Sequence, residues 1–272
     1  MEHRGHSREG EPVNGFVLPS LRKVMFWLFI IMVASLLIGI LIAVVDNHPC
    51  GQGFLPGGEE RKGSWADVSV PSGPARQVKI DLDISSGDIS LSGDETPGMV
   101  NGRVICSHEK NPPHLTSTVV DGVGKIGIER PSGIVYDILP GKEDWNLTLN
   151  RTLPAELRVS INKGDILLNT SDTCLNSVYL ESGAGDIVLN ESRWSGRRQS
   201  VHIESGVGDI TALFPEQSRV SVTLDKGIGN NNLFGFDEYK SGYTHHASVR
   251  DAPKIDLTIS QGIGNVTLRT VP

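Results

Sequence analysis

The chain has 272 residues, a formal net charge of −7 at pH 7, 31 glycines and an aromatic content of 6%. Its acidity disfavours nucleic-acid binding, which rewards a basic face, and its length suffices for one or two domains. Three cysteines allow at most one intramolecular disulfide, so Cys106 and Cys174 are either bridged in an oxidising exterior or unpaired.

The first two segments predict a membrane anchor. Residues 1–23 are polar and show no strand or helix periodicity, which predicts a disordered tail. Residues 24–45 form an apolar run long enough to cross a bilayer as one helix. Arg22 and Lys23 precede this run and no Lys or Arg follows until Arg61, so the positive-inside rule places the tail in the cytoplasm. A cleaved signal peptide is the alternative, although its apolar core is usually shorter, at about 7–15 residues.

The rest of the chain is predicted to lie outside the cell. Residues 46–76 are rich in glycine and proline, which is typical of an extended linker. They are predicted to form a stalk that holds the following domain away from the membrane. Residues 77–272 form the predicted ectodomain.

A Gly-x-Gly-Asp/Asn motif recurs through the ectodomain. Clear copies are ESGAGDIVL at residues 181–189, ESGVGDI at 204–210 and QGIGNVTL at 261–268. Apolar residues alternate with polar ones on both sides of each copy, as at Val201 and Ile203. Period two indicates a strand with one buried face, so each copy predicts a strand, a bend and a second strand.

The spacing of the copies predicts their arrangement. Consecutive motifs from Gly164 to Gly229 are about 21–23 residues apart, which indicates an all-β, β-solenoid-like stack of repeats. Longer gaps of nearly two periods are each predicted to hold one coil without the motif. The result would be about nine coils in a rod on the order of 40 Å long. An antiparallel sandwich with glycine-rich turns is the alternative.

Each bend is predicted to be built from two glycines and a following Asp or Asn. Glycine adopts backbone angles barred to other residues, and the Asp or Asn side chain bonds nearby backbone amides. The apolar residue between the glycines is expected to face the core. The predicted bend residues are Gly183, Gly185, Asp186, Gly206, Gly208, Asp209, Gly227, Gly229, Asn230, Gly262, Gly264 and Asn265. The apolar residues between glycines are Ala184, Val207, Ile228, Ile263 and, in a weaker copy at residues 121–128, Val123.

The motif has two chemical interpretations besides a structural bend. Gly-x-Gly-Asp is similar to the calcium-binding β-roll motif, but that motif needs nine-residue repeats. Asp165, Asp186 and Asp209 would stack like the carboxylates of a β-helix glycosidase, although their regular recurrence favours a structural role. No other catalytic motif is present. We therefore assign no catalytic residue, metal ligand or cofactor, and predict that the chain is not an enzyme.

Two insertions between strands are candidate binding surfaces. The first is a basic-aromatic loop, which could meet an anionic glycan, a lipid headgroup or a partner, or could simply be solvated. The second, residues 233–250, concentrates aromatic side chains and either covers an open sheet edge or forms a contact surface. The candidate residues are Arg193, Trp194, Arg197 and Arg198 in the first, and Phe234, Phe236, Tyr239 and Tyr243 in the second.

Together, the membrane helix, the Gly/Pro stalk and the Ser-Gly-x-Gly-Asp-Ile-x-Leu bends resemble the "putative adhesin" or toast-rack domain family of bacterial and archaeal envelope proteins. The motif copies at residues 182–189, 205–210 and 262–268 carry this resemblance, which extends over approximately residues 77–272. It implies a β stack, no known catalytic residues and a frequent link to envelope-stress systems.

The predicted function is therefore an adhesin-like, scaffold or sensing module of the cell envelope. Its expected partners are the lipid bilayer, through residues 24–45, and an envelope protein or glycan. One alternative is a carbohydrate-active β-helix enzyme. Another is an accessory protein of envelope-stress signalling, whose membrane helix packs on a partner through Ser35 and Gly39.

Overall fold

The computed structural model describes residues 64–106, 114–129, 143–171, 173–192, 198–247, 249 and 252–272. The predicted tail, the membrane helix and most of the stalk lie outside these ranges. Within them, no helix is long and apolar enough to cross a bilayer. The described chain is all-β.

Eighteen strands account for most of the described chain. They are β1 Ser64–Pro71, β2 Gln77–Asp94, β3 Gly98–Cys106, β4 His114–Val120, β5 Val123–Glu129, β6 Glu143–Asn150, β7 Ala155–Lys163, β8 Ile166–Asn169, β9 Leu175–Ala184, β10 Ile187–Asn190, β11 Gln199–Val207, β12 Ile210–Pro215, β13 Arg219–Ile228, β14 Asn231–Phe234, β15 Asp237–Tyr239, β16 Gly242–His245, β17 Lys254–Ile263 and β18 Val266–Val271.

The strands form two sheets, which we call sheet A and sheet B. The long strand β2 takes part in both. In sheet B the parallel order is β5, β2, β7, β9, β11, β17 and β13. In sheet A the matching order is β6, β2, β8, β10, β12, β18 and β14. A rung is one strand of each sheet, and β2 supplies both halves of its own rung. The described residues thus contain seven rungs, which span on the order of 30 Å.

The order of rungs in space differs from their order in the chain. The C-terminal rung, β17 and β18, lies between the β11–β12 rung and the β13–β14 rung. The prediction of about nine coils was wrong for the described residues. The β5–β6 rung is a coil without the motif, as predicted, but the gaps before Gly124 and after Gly229 hold antiparallel strands in place of further coils. Strands β3 and β1 extend sheet A beyond β6, β4 extends sheet B beyond β5, and the β15–β16 hairpin extends sheet B beyond β13.

Alternating side chains from both sheets fill one core. In β2 every second residue from Val78 to Ile84 is buried, and burial resumes with Ile89 and Leu91 after the corner. Each such aliphatic side chain contributes about 1.5–3 kcal/mol on burial. Successive rungs repeat this pattern, as at Val201 and Ile203, so each rung covers the apolar face of the next.

Paired glycines allow the rungs to approach each other closely at the corner between the sheets. A Cβ on Gly206 would lie 2.5 Å from the carbonyl oxygen of Gly183 in the adjacent rung. Gly208 has a φ of +146°, a conformation that side chains disfavour, and a Cβ there would overlap the carbonyl oxygen of Gly185. Equivalent glycines occupy the corners of the neighbouring rungs.

The apolar residue between the glycines faces solvent, so its expected inward direction was wrong. Val207, Ile263 and Ile228 are 50%, 49% and 71% exposed, and Ala184 is also exposed. The inward position at the corner belongs to the residue before the first glycine, such as Ser205, which is buried. The chain then turns outward at the glycines. The stack does not depend on this residue because parallel pairing and the alternating strand residues hold the rungs together.

The weaker motif copy is a hairpin turn and forms no corner. Asp121 and Gly122 both have positive φ, at 53° and 79°, and they join the antiparallel strands β4 and β5. Two such residues form the tight turn whose twist suits a two-residue hairpin. Val123 therefore begins a strand after this turn, where it is half-buried.

The Asp and Asn residues after the second glycines connect adjacent rungs. The backbone N–H of Asp186 donates to Asp165 Oδ1 at 2.8 Å, and that of Asp209 donates to Asp186 Oδ1 at 2.8 Å. Asn265 continues the series by donating to Asp209 Oδ1 at 2.7 Å. This amide lowers the pKa of the Asp209 carboxyl. Each side chain thus bonds the next rung instead of closing its own bend.

This ladder predicts a contrast between two substitutions at Asp186. Asp186→Ala removes the acceptor for the Asp209 amide and is expected to destabilise the chain by about 1 kcal/mol. Asp186→Asn retains an acceptor oxygen, as Asn265 does for Asn230, and should be nearly neutral. Chemical unfolding followed by tryptophan fluorescence measures both, since Trp145 is buried in the core. Equal stability of the two variants would contradict this role.

Candidate functional site

Three adjacent rungs place Arg158, Tyr179 and His202 side by side on the outer face of sheet B. Arg158 is in register with Tyr179, and Tyr179 is in register with His202. The Arg158 guanidinium carbon lies 4.2 Å from the centre of the Tyr179 ring. The Tyr179 and His202 rings are stacked, with centres 5.0 Å apart and planes 10° apart. Both faces of the tyrosine ring are therefore covered.

Two glutamates hold this stack in place. Arg158 Nη2 donates to Glu181 Oε2 at 3.2 Å, and His202 Nε2 lies 2.7 Å from Glu204 Oε1. The hydrogen bond from His202 lowers the pKa of Glu204, and a bond from Tyr179 acts in the same direction. Burial and the bond to Glu204 raise the pKa of the Tyr179 hydroxyl. We call Arg158, Tyr179, Glu181, His202 and Glu204 the B-face cluster.

An open groove of about 270 Å³ adjoins the B-face cluster. Its lining includes the side chains of Ser160, Glu181, Glu204 and Ser260. Gly183 and Gly206 also line the groove, and their missing side chains leave room for it between the glutamates and the corner. Two members of the cluster thus border a polar depression beside a flat, regular sheet.

The chemistry of the cluster favours binding over proton transfer. Glu181 and Glu204 are in register on neighbouring strands, about 4.8 Å apart in the backbone, which approaches the carboxylate separation of a retaining glycosidase. A general acid of that kind needs a raised pKa, whereas the pKa of Glu204 is lowered. Glu181 is paired with Arg158. The cluster instead presents hydrogen-bond donors and acceptors in fixed positions.

The Asp residues of the corners form no shared cleft. Asp165, Asp186 and Asp209 each accept a backbone N–H from a neighbouring rung. In the described ranges, no group of three or more His, Cys, Asp or Glu side chains is arranged to hold a metal ion. The thiol of Cys174 is free, as in the unpaired alternative.

Of the predicted basic-aromatic loop, only Arg198 is described; Arg193, Trp194 and Arg197 lie outside the described residues. The Arg198 guanidinium forms an ion pair with Asp256 of β17, with Nη2 at 2.8 Å from Oδ2. Lys254 pairs with the same carboxylate at 2.6 Å. Arg198 thus lies immediately before β11, the strand that carries His202 and Glu204.

The aromatic insertion lies at the far end of the stack and is separate from the B-face cluster. Phe236 and Tyr243 pack partly against the core, and the hairpin formed by β15 and β16 covers the edge of β13. Of the two roles considered for this insertion, the structure thus shows the one in which it covers an open sheet edge. Phe234 and Tyr239 are exposed, with Arg269 over the first ring at 5.3 Å and Lys240 over the second at 5.1 Å.

The B-face cluster was not predicted from the sequence, although the sequence contains a signal for it. Arg158, Tyr179 and His202 occupy the same position relative to the second glycines Gly164, Gly185 and Gly208. The two glutamates likewise share one position relative to Gly185 and Gly208. Alignment of the repeats on these glycines brings the five residues into two outward-facing columns, separated by one column of inward-facing residues.

Comparison with known proteins covers most of the described chain. A family model described as "N-terminal domain of toast_rack, DUF2154" matches residues 59–213. The crystal structure of a "putative cell adhesion protein" from Clostridium sporogenes ATCC 15579 is 26% identical, with a TM-score of 0.70, over 77% of this chain and 100% of that chain. That of a "putative adhesin" from Bacteroides fragilis NCTC 9343 is 15% identical, with a TM-score of 0.31, over 78% of this chain and 98% of that chain. No curated protein matches this chain.

Proposed function

The chain belongs to the toast-rack family, and from this premise we propose that it is a membrane-anchored, adhesin-like binding module whose ligand site is the B-face cluster. The arrangement of this cluster carries the proposal. Five polar or aromatic side chains are held by mutual contacts on three adjacent parallel strands, beside an open groove. A rigid scaffold of this kind fixes donors and acceptors before a ligand arrives, which lowers the cost of binding.

The composition of the cluster favours a hydroxyl-rich ligand such as an envelope glycan. Arg158 donates hydrogen bonds, while Glu181 and Glu204 accept them in pairs from neighbouring hydroxyls. Both ring faces of Tyr179 are occupied, so the site is suited to hydrogen bonding more than to stacking. The 26% identity with a structure named as a cell adhesion protein agrees with a binding role.

Energetics give a second reason to assign the cluster to binding. The ion pair between Arg158 and Glu181 involves side chains that are half-exposed. Such pairs contribute only about 0–1 kcal/mol to stability. The fold therefore has little need of them, since the buried aliphatic side chains already hold the rungs together. A role in recognition accounts better for so ordered a group of exposed side chains.

The proposal includes location and topology. The apolar run at residues 24–45, preceded by Arg22 and Lys23, supports one membrane helix with the ectodomain outside. Protease added to intact cells should remove a C-terminal tag while leaving an N-terminal tag protected. Protection of both tags would contradict an external ectodomain and would leave the binding proposal without access to an outside ligand.

Ligand binding is tested with the purified chain on an array of neutral and acidic oligosaccharides. Arg158→Ala and Glu204→Gln are each expected to weaken retention on the glycans bound by the unchanged chain by about tenfold, the loss typical of a central contact. Thr258→Ala is the matched control, because Thr258 is exposed in register with His202 but has no contact to the cluster among the described bonds. Equal retention of all three variants would place the ligand elsewhere.

A further inference from the structure

Among the residues that the structure describes, strand β4 is an open edge without the usual protection. Among the described residues it pairs only with β5, and its sequence HLTSTVV contains no Asp, Glu, Lys, Arg or Pro. All of its side chains except Val119 are exposed. The other outer strands are protected by charge or by length, since β15 contains Asp237 and Glu238, β1 contains Asp67 and ends at Pro71, and β14 has four residues.

The hairpin turn fixes which backbone groups of β4 face outward. A two-residue turn at Asp121 and Gly122 makes Val120 and Val123 a hydrogen-bonded pair. Pairs alternate along an antiparallel ladder, so the next outward-facing backbone groups belong to Val119, Ser117 and Leu115. These residues present their N–H and C=O groups away from β5.

We propose that β4 pairs antiparallel with β4 of a second copy of this chain, about a two-fold axis at Ser117. In this register Ser117 lies opposite Ser117 of the second copy, and Leu115 lies opposite Val119. The outward N–H and C=O groups of the three residues then form about six backbone hydrogen bonds between the copies. A two-fold interface requires such a self-complementary patch.

The side chains of β4 suit this register because their order is nearly symmetric about Ser117. Thr116 meets Thr118 of the second copy, a favourable cross-strand pair, and Leu115 meets Val119, an apolar pair. Leu115 and Val119 lie opposite Ile128 and Gly124 of β5, both of which are buried. Pairing therefore extends the apolar face of sheet B from one copy into the next, and it brings no like charges together.

Two differently tagged full-length copies, expressed together in one membrane and extracted in detergent, test the proposal. The first tag is used for purification, and the amount of the second tag that co-purifies is measured. Ser117→Lys in both copies places two ammonium groups at the axis, and Ser117→Glu in both places two carboxylates there. Either pair is expected to reduce co-purification by at least about tenfold.

The decisive experiment combines the two Ser117 variants. One Ser117→Lys copy with one Ser117→Glu copy should restore co-purification, because opposite charges then meet at the axis. This rescue also shows that both variants fold. The matched control, Thr258→Lys in both copies, adds the same charge to a central strand of sheet B and should change nothing. The proposal is overturned if unchanged copies do not co-purify, if the Ser117 pairs co-purify as well as the unchanged pair, or if the mixed pair fails to recover.

Discussion

Replacing Gly208 by alanine is expected to lower the free energy of unfolding by roughly 3–5 kcal/mol, near the upper end for a single substitution. Gly208 lies in the middle of the stack with a φ of +146°, and a Cβ would overlap the carbonyl oxygen of Gly185. The backbone cannot move away without cost, because the Gly208 N–H donates to the Ile263 carbonyl at 2.9 Å. The strain therefore affects the rungs on both sides.

Gly73→Ala is the matched control for this prediction. Gly73 also has a positive φ, at 47°, but a Cβ there would meet nothing within 4 Å. The left-handed conformation alone costs a side chain about 1–2 kcal/mol. Chemical unfolding of both variants compares a positive-φ glycine that has free space around it with one that is in close contact with the next rung. Similar losses in the two variants would show that close approach between rungs contributes little to the need for glycine at the corner.

The repeat and its corners could be predicted from the sequence because their causes are local. Alternation at positions such as Val201 and Ile203 identifies the buried face, and paired glycines identify the bend. The direction of Val207 could not be predicted in this way. If inward and outward side chains continued to alternate after Ile203, the Val207 side chain would point inward. The backbone instead turns at Gly206 and Gly208. The presence of a glycine does not specify the direction of such a turn.

The order of the rungs depends on contacts that a single sequence does not reveal. The corner at Gly262 and Gly264 is chemically equivalent to those at Gly206 and Gly227, so any of these rungs can stack on any other. The insertion between β14 and β17 decides the outcome. Because β16 pairs antiparallel with the outer edge of β13, the returning chain enters on the inner side of that strand.

The B-face cluster was missed because its members look like ordinary exposed residues of a strand. Each of Arg158, Tyr179 and His202 lies on a different repeat, more than 20 residues from the next in sequence, and none belongs to a motif. Only the parallel register joins them. Prediction of such a site requires the repeats to be aligned first and the outward columns to be examined next, after the inward columns have defined the core.

Glu191→Gln is expected to stabilise the chain above pH 7 by on the order of 3 kcal/mol. Glu191 is buried, with Oε1 accepting hydrogen bonds from Gln199 Nε2 at 2.7 Å and Thr170 Oγ1 at 3.1 Å. Its Oε2 and the Oε1 of Gln199 have no donor. Burial raises the pKa of Glu191 from 4.5 to about 7, against the opposing effect of the two hydrogen bonds. A neutral glutamine removes the cost of a buried charge.

The sign of the pH dependence follows from this raised pKa. Between pH 4.5 and about 7 the folded chain holds a proton on Glu191 that the unfolded chain has released, so this residue makes stability fall as pH rises through that range. Above pH 7 both states are ionised and the loss is complete. The difference in unfolding free energy between the unchanged chain and Glu191→Gln should therefore be small at pH 4.5 and largest at pH 8. Glu238→Gln, at an exposed position of β15, removes the same charge without changing a buried site. A constant difference across the pH range, or an equal change in the Glu238→Gln control, would show that Glu191 does not titrate inside the fold.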